Sequence, residues 1–571
     1  MKKTRIIAMG LCAVLLTGCS FTNPFAKDEA DTGLSVENVG DNADNAGDVS
    51  SEGTSEFDYT EDIVDIVSSA LPVYKNVYRY DYRYSEDDNY VNLTQMTHSW
   101  VLLREADKGA YPGLYDALMD RAQEGIKNFG DYSNTMYSDA TEQYQSMAES
   151  GDEASFPAYV DNQYDYISRA DSKIVSICSS YETYSGGAHG YYATYGDSYL
   201  VETGEKIALS NVFTISEDEF ASKLKDKLSV EFNERGSSSD YVDEYLSHYK
   251  FEPDSSKDVS SGAEDWETEY IFYFDYQGVH IVFNPYDIAD YASGAFDVVF
   301  GYDEGVIADE YKLVPDQGYI NHEVIPVCGK DYEYKNEIEG MRFELAYEDE
   351  EHTYASSITL VNGDKEASVD ADIYAEDYYG DCYHIYTKDG REYIYIIFSE
   401  FNDFTSLVAF DITGGDVKLC GSDWFHDIYI DYQDQDFSGE PCLTDPDNML
   451  LGHVGEALGS FQYYNLYSVG ADGMPVENDD VCDFGMVATD KIVAKKEVPA
   501  VKVVDGKATS ESSPIAPGTT VVPVATDGKS YVDVQLEDGS VVRITYTSYE
   551  YPAAIDGTSV DEYFDELMYV G

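Results

Sequence analysis

The sequence predicts an α+β domain, an antiparallel sheet with two main helices, followed by an all-β middle domain and a small terminal β-barrel. Three observations carry this expectation. Leu114 to Phe129 and Phe220 to Phe232 each repeat apolar residues every three or four positions, which is one buried helix face. From about residue 316 onward, short runs rich in Val, Ile, Tyr and Phe alternate with polar residues, the period of half-buried strands. Turn pairs such as Asn362-Gly363, Asp389-Gly390, Asp527-Gly528 and Asp538-Gly539 separate those runs at short intervals.

The N-terminus comes before any folded element. Lys2, Lys3 and Arg5 precede an apolar run from Ile6 to Leu16, and Leu16-Thr17-Gly18-Cys19 follows. A basic start, a short apolar stretch and small residues at the cut site form a secretory signal, too short to span about 30 Å of hydrocarbon. The cysteine resembles the acylated residue of a lipobox. The expectation is a signal peptide at 1–18, lipidation of Cys19 and an extracytoplasmic, membrane-anchored chain. Residues 19–60, rich in Gly, Asn, Ser and Asp with few large apolar side chains, read as a disordered acidic tether.

Order is expected from about Ile63. Tyr74 to Tyr84 alternates aromatic with polar residues and reads as a strand. The first helix is expected to close at Gly130; strands follow at Asp165 to Ser168 and Lys173 to Tyr184. Ser216 and Glu219 form a capping box for the second helix, with Gly236 past its end. Tyr270 to Tyr276, Gln277-Gly278 and Val279 to Phe283 read as a hairpin. The α+β domain thus covers 61–315 and the β-rich domain, a sandwich or a few propeller-like blades, covers 316–485. Residues 495–571 hold three short strands and a helical tail at Ser559 to Met568, an arrangement that resembles an SH3-like barrel.

Length and charge bound the function. At 571 residues the chain is too long for one core. With 35 basic and 111 acidic residues the net charge is −76, so no basic footprint exists for nucleic acid, and cationic partners or divalent ions are favoured. Cys178, Cys328, Cys382, Cys420, Cys442 and Cys482 lack CxxC or zinc spacing; they read as buried thiols or one or two bridges.

Between residues 165 and 303 several stretches carry a resemblance. Asp165-Tyr-Ile-Ser-Arg-Ala-Asp-Ser-Lys-Ile-Val-Ser176 leads to Tyr184-Ser-Gly-Gly-Ala-His-Gly190. Tyr199 to Phe213 and Val282-Phe-Asn-Pro-Tyr-Asp-Ile-Ala-Asp-Tyr-Ala-Ser-Gly-Ala-Phe296 follow. Over about 63 to 305 the chain resembles the RsiV-like family of extracellular domains. Those are of the domain-of-unknown-function 3298 type, with a preceding deacetylase-associated region. That resemblance implies an α+β fold and cell-surface recognition without catalysis, since the module also occurs in a lysozyme-sensing anti-sigma factor and ahead of peptidoglycan deacetylase domains. This chain carries neither the anti-sigma segment nor a deacetylase motif.

Among single residues, His189 in Gly186-Gly187-Ala188-His189-Gly190 reads as a ligand contact or a metal ligand, or as a pin for the turn, and the pin is the plainer reading because no second His or Cys stands at ligand spacing. Tyr191 and Tyr192, with Tyr195 and Tyr199 beyond, suit a recognition surface, although 54 tyrosines occur in the chain and ordinary strand packing explains most of them. Asn284-Pro285-Tyr286 reads as architecture. Asp434, Asp436, Ser438 and Gly439, with Asp445, partly mimic a calcium loop but lack its Glu and its helices, and a solvated acidic loop is the plainer reading. GxSxG, HExxH, Walker A and GxGxxG contexts are missing. The chain is therefore expected to bind a cationic protein such as lysozyme, or peptidoglycan, through Gly186, Gly187, His189, Gly190, Tyr191 and Tyr192. No metal, cofactor or catalysis is expected; a glycan-acting enzyme or a structural envelope protein are the rival classes.

Overall fold

The computed structural model describes residues 71–569 apart from 86–89, 152–154, 236–241, 258–264, 315–316, 328–336, 339–340, 348–353, 375–377, 400–404, 426–437, 488 and 490. The signal at 1–18, Cys19 and the tether at 19–60 lie outside the described residues. The chain is mostly β with few helices and several sheets, and the described strands close no barrel. No helix among the described residues is long and apolar enough to cross a membrane.

The first sheet contains β1 (Tyr74–Tyr84), β2 (Asn92–Leu103), β3 (Tyr159–Ala170), β4 (Ile174–Tyr184) and β5 (Tyr191–Leu200) in that order. β2 and β3 are parallel, and helix α1 (Pro112–Ser150) supplies the crossover that parallel neighbours require. α1 runs straight through Gly130, where the apolar spacing placed its end. Its buried stripe continues from Phe129 to Ser133, Met136, Ala140 and Tyr144, and packing of that stripe outweighs the helix cost of one glycine, roughly 1 kcal/mol. The helix stops at Gly151, which takes the left-handed conformation at φ 79°. Gly125 matters by contrast for its missing side chain: a Cβ there would lie 2.1 Å from Trp100 Nε1, so glycine lets the helix seat on the indole.

The second layer is built by the short α2 (Leu209–Val212), then α3 (Glu217–Arg235), a parallel pair β6 (Tyr249–Lys250) and β7 (Thr268–Glu269), and a three-stranded sheet. That sheet holds β8 (Ile271–Phe274), β9 (Gly278–Phe283) and β10 (Phe296–Gly301). Ser216 Oγ accepts from Glu219 N at 3.3 Å, the expected cap of α3. Phe220, Leu224, Leu228 and Phe232 pack with Ile281, Phe283, Phe296 and Phe300 in one core. The two layers are tied by Ser176 Oγ, which accepts from Phe274 N at 2.8 Å.

Beyond residue 316 lie a five-stranded and a four-stranded sheet, followed by a large sheet. In the large sheet Cys482–Val487 pairs with Thr520–Thr526, which pairs with Tyr531–Leu536. The divide expected between 485 and 495 therefore falls inside a continuous sheet, and the anticipated SH3-like barrel does not close. Backbone pairing of 482–483 with 525–526 extends the strands sideways instead. The tail forms only a single turn at Val560–Glu562 in place of a helix. One strand departs from its surroundings: Ser438–Cys442 joins the first sheet as the antiparallel neighbour of β1, with Tyr74 opposite Cys442 and Tyr78 opposite Ser438. A stack of Tyr276 on Tyr319 (3.8 Å) and Tyr319 on Tyr386 (4.4 Å) makes a further contact between the α+β part and the β-rich part.

Candidate functional site

The turn from Gly186 to Gly190 joins β4 to β5 at the open end of the first sheet. Gly186 and Gly187 have φ of 87° and 106°, a region that costs a side chain dearly. A Cβ on Gly190 would lie 2.8 Å from the Thr183 carbonyl oxygen. The glycines are therefore dictated by the backbone, as the sequence suggested, and the turn holds His189 outward and exposed.

His189 pins its turn and also meets rings from a distant segment. Nδ1 lies 2.8 Å from Gly190 O, so the ring braces its own turn. The ring also stacks on Tyr291 with centroids 4.1 Å apart, and Nε2 is 3.5 Å from the Tyr286 hydroxyl. Tyr291 meets Tyr192 edge-on at 5.9 Å and Tyr286 at 5.5 Å. Four rings from two distant segments thus form one partly exposed surface. Burial, with Tyr195 and Asp287 nearby, pushes the Tyr191 hydroxyl up to about 12.

Residues 284–294 are placed against β5 by side-chain bonds. Asn284 Oδ1 accepts from Thr194 N at 2.7 Å and Nδ2 donates to Thr194 O at 3.1 Å, a side-chain imitation of a strand pair. Asp287 Oδ2 accepts from Asn284 N at 2.7 Å, and burial raises its carboxyl above the usual range although the Asn284 backbone and the Tyr249 hydroxyl both bond it. The intervening Tyr286 has φ 78° and is 56% exposed, a posture rare for a bulky side chain and forced by these flanking anchors. The architectural reading of Asn284-Pro285-Tyr286 holds for Asn284, while Tyr286 and Tyr291 are surface residues that sequence reasoning passed over. No local sequence signal marked them, because their contact with His189 depends on the Asn284–Thr194 pairing across 90 residues.

On the other side of the turn lies an open groove of about 280 Å³ lined by Asp139, Glu142, Gln143, Ser146 and Tyr159. A Cβ on Gly186 would sit 3.4 Å from the Tyr159 hydroxyl, so the turn borders the groove. Burial together with the Asp139 carboxylate and Tyr184 raises the Tyr159 hydroxyl above its ordinary range. Asp139 and Glu142 were hidden from the sequence because α1 was expected to end before them.

The calcium-loop mimic divides. Asp434 and Asp436 lie outside the described residues; Ser438 and Gly439 begin a paired strand, and Asp445 is spent on its own turn, accepting from Asp447 N at 3.0 Å and Asn448 Nδ2 at 2.7 Å. Among the described residues no three His, Cys, Asp or Glu side chains form a metal cluster. Among the described residues Cys178, Cys420 and Cys482 are free thiols, and Cys328 lies outside the described residues.

Residues 213–303 match the model of DUF3298, a protein family of unknown function, so this part of the chain is a DUF3298 domain. It contains Tyr286 and Tyr291 but not the Gly186–Gly190 turn. Among solved structures the chain is similar to a member of the DUF3298 family from Bacteroides fragilis. The two are 16% identical over 42% of this chain and 94% of that one, with a TM-score of 0.32. A DUF3298 family protein from Pseudomonas aeruginosa PAO1 is 12% identical over 43% and 98%, with a TM-score of 0.29. No curated protein matches the chain.

Proposed function

We propose that this chain is a cell-surface lipoprotein, held by acyl chains on Cys19, whose RsiV-like α+β part is a non-catalytic receptor for a cationic, envelope-directed protein of the lysozyme kind. One observation carries the reading: the Gly186–Gly190 turn stands between a groove bearing Asp139 and Glu142 and a surface of His189, Tyr192, Tyr286 and Tyr291. Tyrosine supplies large contact area at low entropic cost and accepts cations on its face, and carboxylates steer a basic partner and fix its orientation. The net charge of −76 adds long-range attraction. The β-rich remainder, including the part likened to an SH3 barrel, serves in this reading as the support of the receptor.

Titration of the protein with hen lysozyme and with an equally basic unrelated protein tests the proposal. Lysozyme should bind more tightly, its association rate should fall steeply as salt rises from about 0.1 M to 1 M, and its dissociation rate should change little. Tyr286→Ala and Glu142→Gln should each weaken binding without lowering the melting temperature. Equal, salt-erased binding of both proteins would leave only bulk charge and defeat the receptor reading. Cys19→Ala should release the protein from membranes, and unchanged fractionation would remove the lipid anchor.

A further inference from the structure

The sequence holds a single Asp–Pro bond, Asp445–Pro446. It lies in the short connection between the strand Ser438–Cys442, in the first sheet, and the strand Met449–Gly455, in the large sheet. The nitrogen of an amide to proline carries no proton. The succinimide route open to other Asp–X bonds needs that N–H, so it is closed here. The reaction left to the side chain is attack on its own carbonyl carbon, with the proline nitrogen as leaving group.

The fold grips this bond instead of leaving it in an open loop. Asp445 is 8% exposed, and Leu443, Thr444 and Pro446 are buried around it. A Cβ on Gly318 would lie 3.0 Å from Pro446 Cγ, and the Pro446 carbonyl accepts from Val469 N at 3.1 Å. One residue binds both reacting groups: Asn448 N donates to the Asp445 carbonyl oxygen at 3.0 Å, and Asn448 Nδ2 donates to Asp445 Oδ2 at 2.7 Å. Asp447 N holds Oδ1 at 3.0 Å. The carboxyl is thus kept on the same side as its own carbonyl, whose oxygen already accepts a hydrogen bond where charge develops under attack. The charged groups facing it, Asp447 and Lys388, pair with each other at 2.6 Å. Burial raises the Asp445 carboxyl above the usual range although Asn448, the Asp447 backbone and Lys388 oppose it, so it keeps its proton into milder acid than an exposed aspartate.

We infer that Asp445–Pro446 is a self-cleavage site at which the chain divides, in mild acid, into two pieces that stay assembled. In the first step an Asp445 carboxyl oxygen bonds to the Asp445 carbonyl carbon. The bond from that carbon to Pro446 N breaks, and the carboxyl proton passes to Pro446 N. This leaves a five-membered cyclic anhydride on residue 445 and a secondary amine at Pro446. One water then opens the anhydride to the two carboxyls of a C-terminal Asp445. No oxidant, reductant or further reactant enters. The upstream piece keeps Ser438–Cys442 paired with β1, and the downstream piece keeps Met449–Gly455 paired with Phe461–Val469. Cys482, the one cysteine beyond residue 446, is a free thiol, so noncovalent contacts alone then hold residues 446–571 to the rest.

Incubation of the full-length protein at about pH 5 and about pH 8, followed by intact-mass measurement, tests the inference. Two pieces should accumulate in the acid sample, one ending at Asp445 and one beginning at Pro446, about tenfold faster or more than at the higher pH. The acid sample should still elute undivided from size exclusion, and the rate should not depend on protein concentration. Asp445→Asn keeps an acceptor for Asp447 N and should slow cleavage about tenfold or more. The same natural protein unfolded in urea at the acid pH supplies a comparison that needs no variant: the folded chain should cleave about tenfold faster or more, because only the fold holds carboxyl and carbonyl together. Equal rates in the folded and unfolded chain would reduce the effect to ordinary acid lability and overturn the site. An intact folded chain in acid, or cleavage of Asp445→Asn at the natural rate, would overturn it as well.

Discussion

His280 lies flat against Tyr273, their ring centroids 4.4 Å apart, and one carboxylate, Asp297, bonds both: the His280 Nδ1 at 2.8 Å and the Tyr273 hydroxyl at 2.8 Å. Asp275 Oδ2 stands 3.0 Å from Nε2, an ion-pair distance without good hydrogen-bond aim. Burial opposes the charge on the ring, but Asp297 and Asp275 outweigh it and push His280 up to about 10. Because the folded value is raised, this contribution to stability is full below pH 6.5 and is lost as pH rises through about 10. His280→Phe should cost on the order of 3–5 kcal/mol at pH 6, since Asp275 and Asp297 lose their buried counter-charge. Denaturant unfolding of the two proteins at pH 6 and pH 10.5 checks this, and the gap should shrink at the higher pH.

Lys75 presents the opposite case. It is 5% exposed, and burial, with Arg104 nearby, lowers it to about 8 despite Asp483 and Asp107. A depressed folded value means that its contribution is present above pH 10.5 and is lost as pH falls through about 8. Relative to Lys75→Met, the natural protein should therefore gain up to about 3 kcal/mol between pH 8 and 10.5. Comparing the two proteins removes the background of titrating tyrosines, and parallel stability curves would show that Lys75 is not the group responsible.

Arg121 on α1 joins two strands. Its Nη2 donates to Asp165 Oδ1 at 3.1 Å and its Nε to Asp197 Oδ2 at 2.8 Å, while Ser179 Oγ donates to Asp165 at 2.7 Å. Burial works against the Asp197 charge, but Arg121 and Lys206 outweigh it and hold its carboxyl below the usual range. That stabilisation is present above about pH 4 and lost as pH falls further. Arg121→Met should destabilise by roughly 3–5 kcal/mol at pH 7, with a smaller deficit at pH 3, measured by urea midpoints.

Gly187→Val should separate the site from the core. At φ 106° a β-branched side chain is strained, with a cost of about 1–3 kcal/mol if the turn keeps its shape. Relaxation of the turn would instead part His189 from Tyr291. Loss of the ring-current shift on the Tyr291 resonances, with β3 and β4 amides still protected from exchange, is the expected result.

The two helices, the hairpin at 271–283 and most β-rich segments were readable because one period dominates each of them, and the cap on α3 was spelled out by Ser216 and Glu219. The end of α1 was not, since a single glycine reads as a stop unless the partner sheet for the stripe beyond it is known. The candidate surface was half readable. Glycines that demand positive φ announce a turn at 186–190, and His189 stands out there. Tyr286 and Tyr291 meet His189 only through the Asn284–Thr194 anchor, a contact across 90 residues of sequence, and no local pattern encodes it.

The strand Ser438–Cys442, laid against β1, has a consequence for how the molecule comes into being. Loop-closure entropy grows only slowly with length, but the pairing of Val77 with Gly439 must wait until the intervening chain has been made and moved into place. Until then β1 presents bare amides and carbonyls beside a row of tyrosines, the state in which edges recruit neighbouring chains. A chain truncated near residue 315 should show this permanently: concentration-dependent self-association, relieved by a peptide spanning residues 436–444.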